Sequence, residues 1–501
     1  MSNYLDNIDV IDANNEVINV LLQDRETLAL ANLIRSGEVI ANASVYGVQA
    51  NSDITDTLTS LFNSFKYLYL PEGTYEINGL VIPNGCGIIG NNAIITSDNN
   101  PCIRLNSNSF IDGLTISNSN SDTYSNCIDT ANGAENVRIS NCNISGCYIE
   151  VYLNHVKKGV IYNTHIENSF TNGLCIYASG CEQCLVDTCE IIGNYTSGSH
   201  CVQFSDGKYN TVRHNHITDA YNFNISFYNE INGCIANNIC EDSRVESINL
   251  DNSDQCEVHG NSCLFTNTDR PNYDHGITIF GSTKSANFNH VHHNLVVKAH
   301  KAGIAIAGIA GLNTIEANVI RQTNSETGVD SIKGAIVIYK DASVPQTAPF
   351  QNIIANNIFS DVPYYGIEER DGYQNVATGN MSVPYRANYL THPIYQICDD
   401  VCITPITPEP TITSTATVVN HEEFWNGEFI EGTFVIDAVA NTAFTFSIGI
   451  EPAANNMFDA HVNANADFPI SIDASGIISA TPTYSGNVQI NYRYKASKFF
   501  S

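Results

Sequence analysis

The chain of 501 residues contains little charge, and especially little positive charge. Charged residues make up 15% of it, and 22 Lys and Arg are outnumbered by 52 Asp and Glu, which gives a formal net charge of −30. Phosphate backbones and anionic headgroups repel such a chain. We therefore expect neither nucleic acid nor a membrane surface as a partner.

Two other features are absent. The sequence has no apolar run of about 18 residues, the length at which a membrane-spanning helix is expected. Residues 1–20 mix Asp, Asn and Glu with apolar residues, and they lack the basic start and apolar block of a secretory signal. We therefore expect the protein to be assembled in a reducing cytoplasm.

The 16 cysteines do not indicate a secreted disulfide scaffold. Most of them lie inside a repeated pattern, where a free Cys acts as a small buried hydrophobic residue. Two alternatives stay open at this point. Cys181, Cys184 and Cys189 could hold zinc, and Cys398 and Cys402, outside the pattern, could form a disulfide or bind a metal.

The repeated pattern is a short phrase in which apolar residues flank an Asn. Spacings of 22 and 24 residues dominate, and a fixed period in this range is typical of a solenoid. The repeated position falls at Asn91, Gly113, Asn141, Asn163, Asp187, Asn215, Asn237, Asn261, Asn294, Asn318, Asn356 and Asn380.

A second short segment with alternating apolar residues follows each repeated position, as in Ile225–Phe227 and Ile277–Ile279. This alternation predicts strands rather than helices. We therefore predict an all-β fold, a right-handed parallel β-helix of about twelve rungs, with the hand given by the crossover rule. Asn suits a recurring corner because it tolerates the left-handed backbone region and can stack its amide on the next rung.

The remaining segments suggest a four-part organisation. An apolar pattern at helical spacing in residues 1–42 predicts a short N-terminal helical segment for attachment or oligomerisation. The β-helix would occupy residues 43–400, with an entry motif in 43–90 and regular rungs in 91–382. A Pro-rich linker at 401–411 would connect it to a β-sandwich at 412–501.

Two motifs resemble known families. Val45–Asp56, followed by Leu68–Tyr75, resembles the entry motif of the pectate-lyase-like β-helix superfamily, which is common in phage tailspikes and polysaccharide-degrading enzymes. Gln49-Ala50-Asn51 departs from that motif, which has Lys-Gly-Asp there. The resemblance implies a cap on the first rung and carries no catalytic role. Phe468–Thr483 resembles the end of a bacterial Ig-like sandwich.

The outward positions of the predicted strands are candidates for sugar recognition. Rungs lie about 4.8 Å apart, so equivalent outward residues form columns. One column reads Tyr177, Gln203, Ser226, Asn249, Thr278, Ala305, Val337 and Glu368. The next reads Ser205, Tyr228, Asp251, Phe280, Ala307 and Tyr339. Aromatic faces cover sugar C–H groups and amides bind hydroxyls, so we assign substrate binding to Tyr228, Asn249, Thr278, Tyr273, Tyr339 and Lys340.

Two longer intervals place insertions beside these columns, at 268–275 and 328–341. Loops on a rigid scaffold often carry function. Ten of the 22 Lys and Arg lie between residues 200 and 345. A locally basic cleft could therefore bind a uronate or sialic-acid polymer.

Cleavage of a glycosidic bond by hydrolysis needs two carboxylates. The carboxylate candidates are Asp206, Glu246, Asp251, Asp254, Asp274 and Glu368. We favour Asp251 and Asp274 as acid and base. For β-elimination of a uronate, Arg270, His275 and Lys340 could supply the base and the neutralising cation.

We expect no metal and no cofactor. His290, His292 and His293 resemble a metal cluster, but strand alternation sends His292 and His293 to opposite sides.

These features together suggest a phage tailspike-like, receptor-binding homotrimer that binds and depolymerises a bacterial surface polysaccharide. It would be attached to the virion tail through residues 1–42, and it would act at the host cell surface. A non-catalytic glycan-binding adhesin or structural virion spike is the main alternative, and a free bacterial enzyme is a third.

Overall fold

The computed structural model describes residues 40–383, apart from 120–124, 169, 196–197, 199, 267–274, 324–333, 342–347, 363–364, 371 and 373. Nearer the N-terminus it describes the strands Asn7–Ile11 and Val17–Leu21, and after residue 416 it describes seven further strands. The predicted linker at 401–411, Cys398 and Cys402 lie outside the described residues.

The central body is a parallel β-solenoid, and one of its sides is a twelve-stranded parallel sheet. The prediction of about twelve rungs is therefore confirmed. From the first rung to the last, its strands are Leu80–Ile82, Ile103–Leu105, Asn126–Thr130, Ile149–Asn154, Leu174–Ser179, His200–Ser205, Phe223–Tyr228, Glu246–Asp251, His275–Asn287, Ile304–Gly311, Gly334–Tyr339 and Tyr365–Glu369.

Two further sets of parallel strands meet at the asparagine corner. The strands before the corner form what we call the leading sheet: Ile40–Asn42, Tyr67–Leu70, Arg138–Ser140, Val160–Tyr162, Leu185–Asp187, Thr211–Arg213, Cys234–Ala236, Glu257–His259, His290–His292, Thr314–Glu316, Ile353–Ala355 and Val376–Thr378. Those after it form the trailing sheet: Gly73–Glu76, Asn143–Ser145, His165–Glu167, Glu190–Ile192, His216–Thr218, Ile239–Glu241, Ser262–Leu264, Leu295–Val297, Val319–Arg321, Ile358–Ser360 and Met381–Val383. Gly87–Ser97 and Phe110–Asn118 run through both sheets.

The register matches the columns read from the sequence. Ser226 pairs with Asn249, which pairs with Thr278. In the neighbouring column, Tyr228 pairs with Asp251, which pairs with Phe280. The inward positions carry the apolar core, and isoleucines such as Ile225, Ile248 and Ile277 are fully buried. Strand alternation therefore predicted which residues share a column.

The entry motif closes the first rung. A 3-10 helix, Ala43–Tyr46, ends at Gly47 with φ +96°, and an α-helix follows at Thr55–Leu61. Asp53 Oδ1 accepts hydrogen bonds from the backbone N–H and the hydroxyl of Thr55 at 2.9 and 2.7 Å. The helix buries Leu58 and Leu61 in the solenoid core, so it covers the end of the apolar stack.

The predicted asparagine corner consists of two adjacent columns. The first column is left-handed and holds Asn141, Asn163, Asn237 and Asn356, each with φ between 46° and 55°. The second lies one residue later and is buried except at its last member, which is half-buried: Asn215, Asn238, Asn261, Asn294, Asn318, Asn357 and Asn380. Each amide in this second column donates to the Oδ1 of the next, from Asn215 through Asn380. The repeated positions stack at one corner, as predicted. However, the positions taken as equivalent in the sequence belong partly to the first column and partly to the second.

A second buried ladder lies immediately before the last four strands of the leading sheet. It runs through Asn289, Asn313, Asn352 and Asn375 in the same amide-to-amide geometry. One rung has Gly233 in place of an Asn in this column, and the side chain of Glu230 lies beside it. The Glu230 carboxylate accepts hydrogen bonds from the side-chain amide and the backbone N–H of Asn210, at 3.0 and 3.1 Å. Burial raises the pKa of Glu230 to about 7, although the Asn210 donors oppose this shift.

The cysteines within the described residues are free thiols, as predicted. Thirteen of the fourteen are buried, and Cys234 is half-buried. Cys181 and Cys184 each donate to a backbone carbonyl, of Leu153 and Val156 respectively, at 3.4 Å. This geometry favours buried core thiols over the zinc alternative. Among the described residues, no helix is long and apolar enough to span a bilayer.

The predicted N-terminal helix is wrong over Val17–Leu21, which is a strand antiparallel to Asn7–Ile11. Its sequence, Val-Ile-Asn-Val-Leu, is rich in β-branched residues that favour an extended backbone. Towards the C-terminus, Thr417–Trp425, Phe429–Ala438, Gly486–Lys495 and Asn463–Ala464 form one antiparallel sheet. Phe444–Ser447, Ile477–Ala480 and Ile470–Ile472 form another. The Ig-like assignment of this region stays a prediction.

Asn238 and Asn237 offer a direct test of the two-column corner. Asn238→Ala removes the side-chain amide that donates to the backbone carbonyl of Val212 and to Oδ1 of Asn261, each at 2.9 Å. It also removes the Oδ1 that accepts from the side-chain amide and the backbone N–H of Asn215, at 2.9 and 3.0 Å. Because buried polar partners are left unsatisfied, we expect a loss of about 3 kcal/mol or more in the free energy of unfolding. Asn237→Gly, at the exposed left-handed position, should cost only a few tenths of a kcal/mol. Equal losses in chemical denaturation would contradict the two-column description.

Glu150 is a second buried carboxyl. Its Oε1 accepts from the backbone N–H groups of Gly146 and Cys147 at 3.1 and 3.0 Å, and its Oε2 has no hydrogen-bond partner in the described residues. Burial raises the pKa of Glu150 from 4.5 to about 8. The folded state therefore holds the proton more tightly than the unfolded chain does.

The contribution of Glu150 to stability should be fully present below pH 4.5 and lost as the pH rises to about 8. Glu150→Gln removes the titration and keeps the Oε1 acceptor. We expect the variant to match the wild type in thermal melts at pH 4.5 and to be more stable at pH 8. Glu190→Gln, a control at an exposed position, should change the thermal stability neither at pH 4.5 nor at pH 8. An unchanged slope of stability against pH in Glu150→Gln would contradict the assignment.

Candidate functional site

A pocket of about 390 Å³ opens on the outer side of the twelve-stranded sheet. Its described lining residues are Tyr221, Arg244, Val245, Glu246, His275, Lys301 and Tyr339. Glu246 and His275 begin consecutive strands and pair in register. Most of the pocket therefore lies at the strand starts, and Tyr339, from one of the two columns that the sequence identified, completes its lining.

Glu246 is the carboxyl group at the centre of this pocket. Its Oε2 accepts a 2.7 Å hydrogen bond from the side-chain amide of Asn249. Burial raises the pKa of Glu246 to about 7; the nearby Asp251 carboxylate adds to the rise, whereas Asn249, Thr278 and Lys301 oppose it. A carboxyl with this pKa is about half protonated near neutral pH, so it can donate a proton.

Asp251 ends the same strand. The hydroxyl of Ser282 donates to its Oδ1 at 2.9 Å. Burial raises the pKa of Asp251, while the Ser282 hydrogen bonds oppose the rise. Ser282 belongs to an irregular stretch of the strand His275–Asn287, where the register shifts between Gly281 and Ala286. Part of the long sequence interval is therefore this bulge, and it orients Asp251.

His275 is 5% exposed and lies between Glu246 and Ala302 in the strand-start column. Burial and the neighbouring Lys301 lower the pKa of His275 to about 3, so the ring is neutral. Its Nδ1 accepts a 3.3 Å hydrogen bond from the backbone N–H of Ala302. The ring proton is therefore on Nε2, which makes His275 a hydrogen-bond donor and not the base expected for β-elimination.

Cations and tyrosines complete the pocket. The Arg244 guanidinium lies 4.3 Å from the centre of the Tyr221 ring. The Tyr339 and His275 rings are 6.4 Å apart.

The structure brings together some of the predicted site residues. His275 and Tyr339 line the pocket, and Asn249 and Thr278 lie buried beside Glu246. Asp251, at the other end of the strand that Glu246 begins, is not among the described lining residues. Tyr228 pairs with Asp251 on the adjacent rung. Lys340 is exposed after the strand and is not among the described lining residues. Arg270, Tyr273 and Asp274 lie outside the described residues.

Sequence reasoning missed Tyr221, Arg244 and Lys301, and it ranked Glu246 below Asp251. Strict alternation from the core residue Ile248 would send Glu246 inward. Ser247 and Ile248 are nevertheless both fully buried, so strict alternation fails at the start of this strand, and Glu246 lines the pocket. Polar residues recur just before the predicted strands, and this recurrence was the sequence signal that could have identified the pocket residues.

Comparisons with known proteins agree with this architecture. Residues 151–320 match the family model described as the right handed beta helix region. No curated protein sequence is detectably similar to the chain. Among solved structures, the Dettilon tailspike protein is 13% identical with a TM-score of 0.50, and the match covers 94% of this chain and 97% of that one.

The Agl-KA catalytic domain is also similar, at 13% identity and a TM-score of 0.53, over 72% of this chain and 70% of that one. At such identities the likeness shows a shared fold and no more. The matched family region includes every described lining residue of the pocket except Tyr339. The rungs of this chain therefore form a right-handed parallel β-helix.

Proposed function

We propose that the protein binds and cleaves a bacterial surface polysaccharide at the Glu246 pocket. The observation that carries the proposal is a carboxyl with its pKa raised to about 7, in a pocket that also holds neutral His275 and two tyrosines. Perturbed carboxyls in clefts are frequent in catalytic sites. A tailspike and a catalytic domain share the fold, which agrees with the proposal.

The reaction that these residues favour is hydrolysis. Glu246 would protonate the leaving glycosidic oxygen, because it retains a proton near neutral pH. Asp251, at the other end of this strand, would act as the base that activates a water molecule. His275 would donate its Nε2 proton as a hydrogen bond to a sugar hydroxyl. Its Nδ1 is already occupied, which disfavours elimination with His275 as the base.

The substrate would be an acidic polysaccharide. The pocket holds Arg244 and Lys301, although the chain as a whole carries a charge of −30. A sugar carboxylate would form charge-assisted hydrogen bonds with these cations. Tyr221 and Tyr339 would cover the C–H faces of neighbouring sugars. Negative charge elsewhere on the chain would repel an acidic polymer, so contact would be favoured at these two cations.

The biological setting that we propose is a phage tail. A trimer bound to the virion through its N-terminal region would carry the pocket to the host surface. The likeness to a tailspike over 94% of the chain supports this setting. Phe468–Thr483, at the other end, would belong to an Ig-like domain that caps the spike or aids trimerisation.

Replacing Glu246 tests the proposal. Glu246→Gln keeps the shape but cannot release a proton, so turnover on host polysaccharide should fall by about 10²–10⁴-fold. Asp251→Asn should also lower turnover by orders of magnitude. In the wild type, kcat/KM should decline above pH 7 as Glu246 loses its proton, and the residual activity of Glu246→Gln should not show that decline.

Glu241→Gln is the matched control, because Glu241 lies on the same rung in the trailing sheet. Its reducing-end release should equal that of the wild type. If Glu246→Gln stays fully active, the catalytic carboxyls lie elsewhere. If the wild type binds its host polysaccharide without releasing reducing ends, the protein is a binding spike instead.

A further inference from the structure

A cluster of histidines and carboxylates lies on the outer side of the leading sheet, away from the pocket. Glu257 and His259 belong to one strand, and His290 and His292 belong to the next. Inward-facing Val258 and Val291 are fully buried, so their neighbours in both strands point outward. The parallel register pairs Glu257 with His290 and His259 with His292.

We propose that Glu257, His290 and His292 bind a divalent metal ion of the zinc class. One oxygen or nitrogen from each of these three side chains lies within 4.8 Å of the others. Imidazole and carboxylate donors suit zinc and its transition-metal neighbours. Two donors of a tetrahedral ion, each about 2.1 Å from it, lie about 3.4 Å apart, so small side-chain rotations would close the site.

The surrounding contacts orient the three donors. His292 Nε2 is 3.0 Å from Glu257 Oε1, so both atoms already point to one place, where an ion would replace the shared proton. His292 Nδ1 is 2.8 Å from His293 Nδ1. His290 Nε2 is 2.9 Å from Glu316 Oε1, which leaves Nδ1 of His290 for the ion. Metal-bound histidines commonly hold a carboxylate on the other nitrogen in this way.

Packing reinforces this arrangement. The rings of His290 and His292 stack with centroids 4.0 Å apart, and those of His259 and His292 stack at 5.1 Å. Rings stacked at such distances restrict each other's rotation, which helps to hold the nitrogen donors in place. The His292 side chain is 15% exposed and therefore restricted in position. The expectation of no metal site assumed that His293 faced away, but its left-handed backbone, φ 54°, brings it against His292.

Three rungs supply the donors and their supports, because Glu316 follows His292 in register. An ion would therefore tie neighbouring rungs together across the outer surface. Cys234 and His259 form a second group with Glu257 within the same distance limit. We assign the ion to the His290 and His292 group, since both histidines there have an orienting partner.

Titration of the full-length, reduced protein with ZnCl₂, followed by calorimetry, tests the site. The wild type should bind one Zn²⁺ per chain at this site. His292→Gln and Glu257→Gln should each weaken this binding at least tenfold, without lowering the melting temperature of the metal-free protein. The matched control is His165→Gln, because His165 makes a similar cross-rung pair with Glu190 at 2.9 Å on the trailing sheet. That variant should bind zinc like the wild type.

Substitution with Co²⁺ provides a spectroscopic readout that does not depend on catalysis. Ligand-field bands that disappear in His292→Gln but persist in His165→Gln would support the assignment. Equal zinc affinity in His292→Gln and the wild type would overturn it. A thiolate-to-cobalt charge-transfer band that is lost in Cys234→Ser would also overturn it, because the ion would then lie in the second group.

Discussion

The stacking register between rungs constrains every other feature of this molecule. Side chains at equivalent positions repeat at a spacing of about 4.8 Å, so a residue can be inward, outward or at a corner only if its neighbours above and below are compatible. The buried asparagine ladder enforces this register. Each amide donates both to the Oδ1 of the next rung and to a backbone carbonyl of a previous rung, as Asn294 does to Asn318 and Val258. A slip of one residue would break these bonds and expose the apolar core.

This rigidity allows polar groups to be held where they are otherwise unfavourable. Glu150 and Glu230 replace small or apolar residues inside the stack, and each accepts main-chain N–H donors. Glu246 begins its strand and lines a pocket in which burial disfavours the charged form of its carboxyl. On another face, the register of successive rungs likewise places Glu257, His290 and His292 close together. Position in the register, more than local sequence, determines the chemistry.

The fold could be predicted because the pattern of apolar residues that produces it repeats at a regular interval. Repeated apolar phrases identified the rungs, and strand alternation identified outward columns such as Tyr228, Asp251 and Phe280. The two corner columns were merged because Asn occurs in both, one residue apart, and only their backbone angles separate them. The N-terminal prediction was wrong over Val17–Leu21, because an apolar run with β-branched residues fits both a helix and a strand.

The site was harder to predict because it depends on a break in the period. Alternation from Ile248 would place Glu246 inside, whereas in the structure Glu246 lines the pocket with Arg244 and Lys301. His275 was identified, but its role depended on a contact that no sequence pattern reveals, the backbone N–H of Ala302 on Nδ1. The environment of a residue at a regularly repeated position can thus be predicted from the sequence, whereas that of a residue where the repeat is broken is known only from the structure.

The most direct test of the central claim is a crystal structure of the Glu246→Gln variant soaked with oligosaccharides from the host polysaccharide. We predict density for sugars in the pocket between Tyr221 and Tyr339, with a glycosidic oxygen facing residue 246 and a sugar carboxylate facing Arg244 or Lys301. Sugar density confined to another face of the β-helix, with this pocket empty at saturating ligand, would contradict the account.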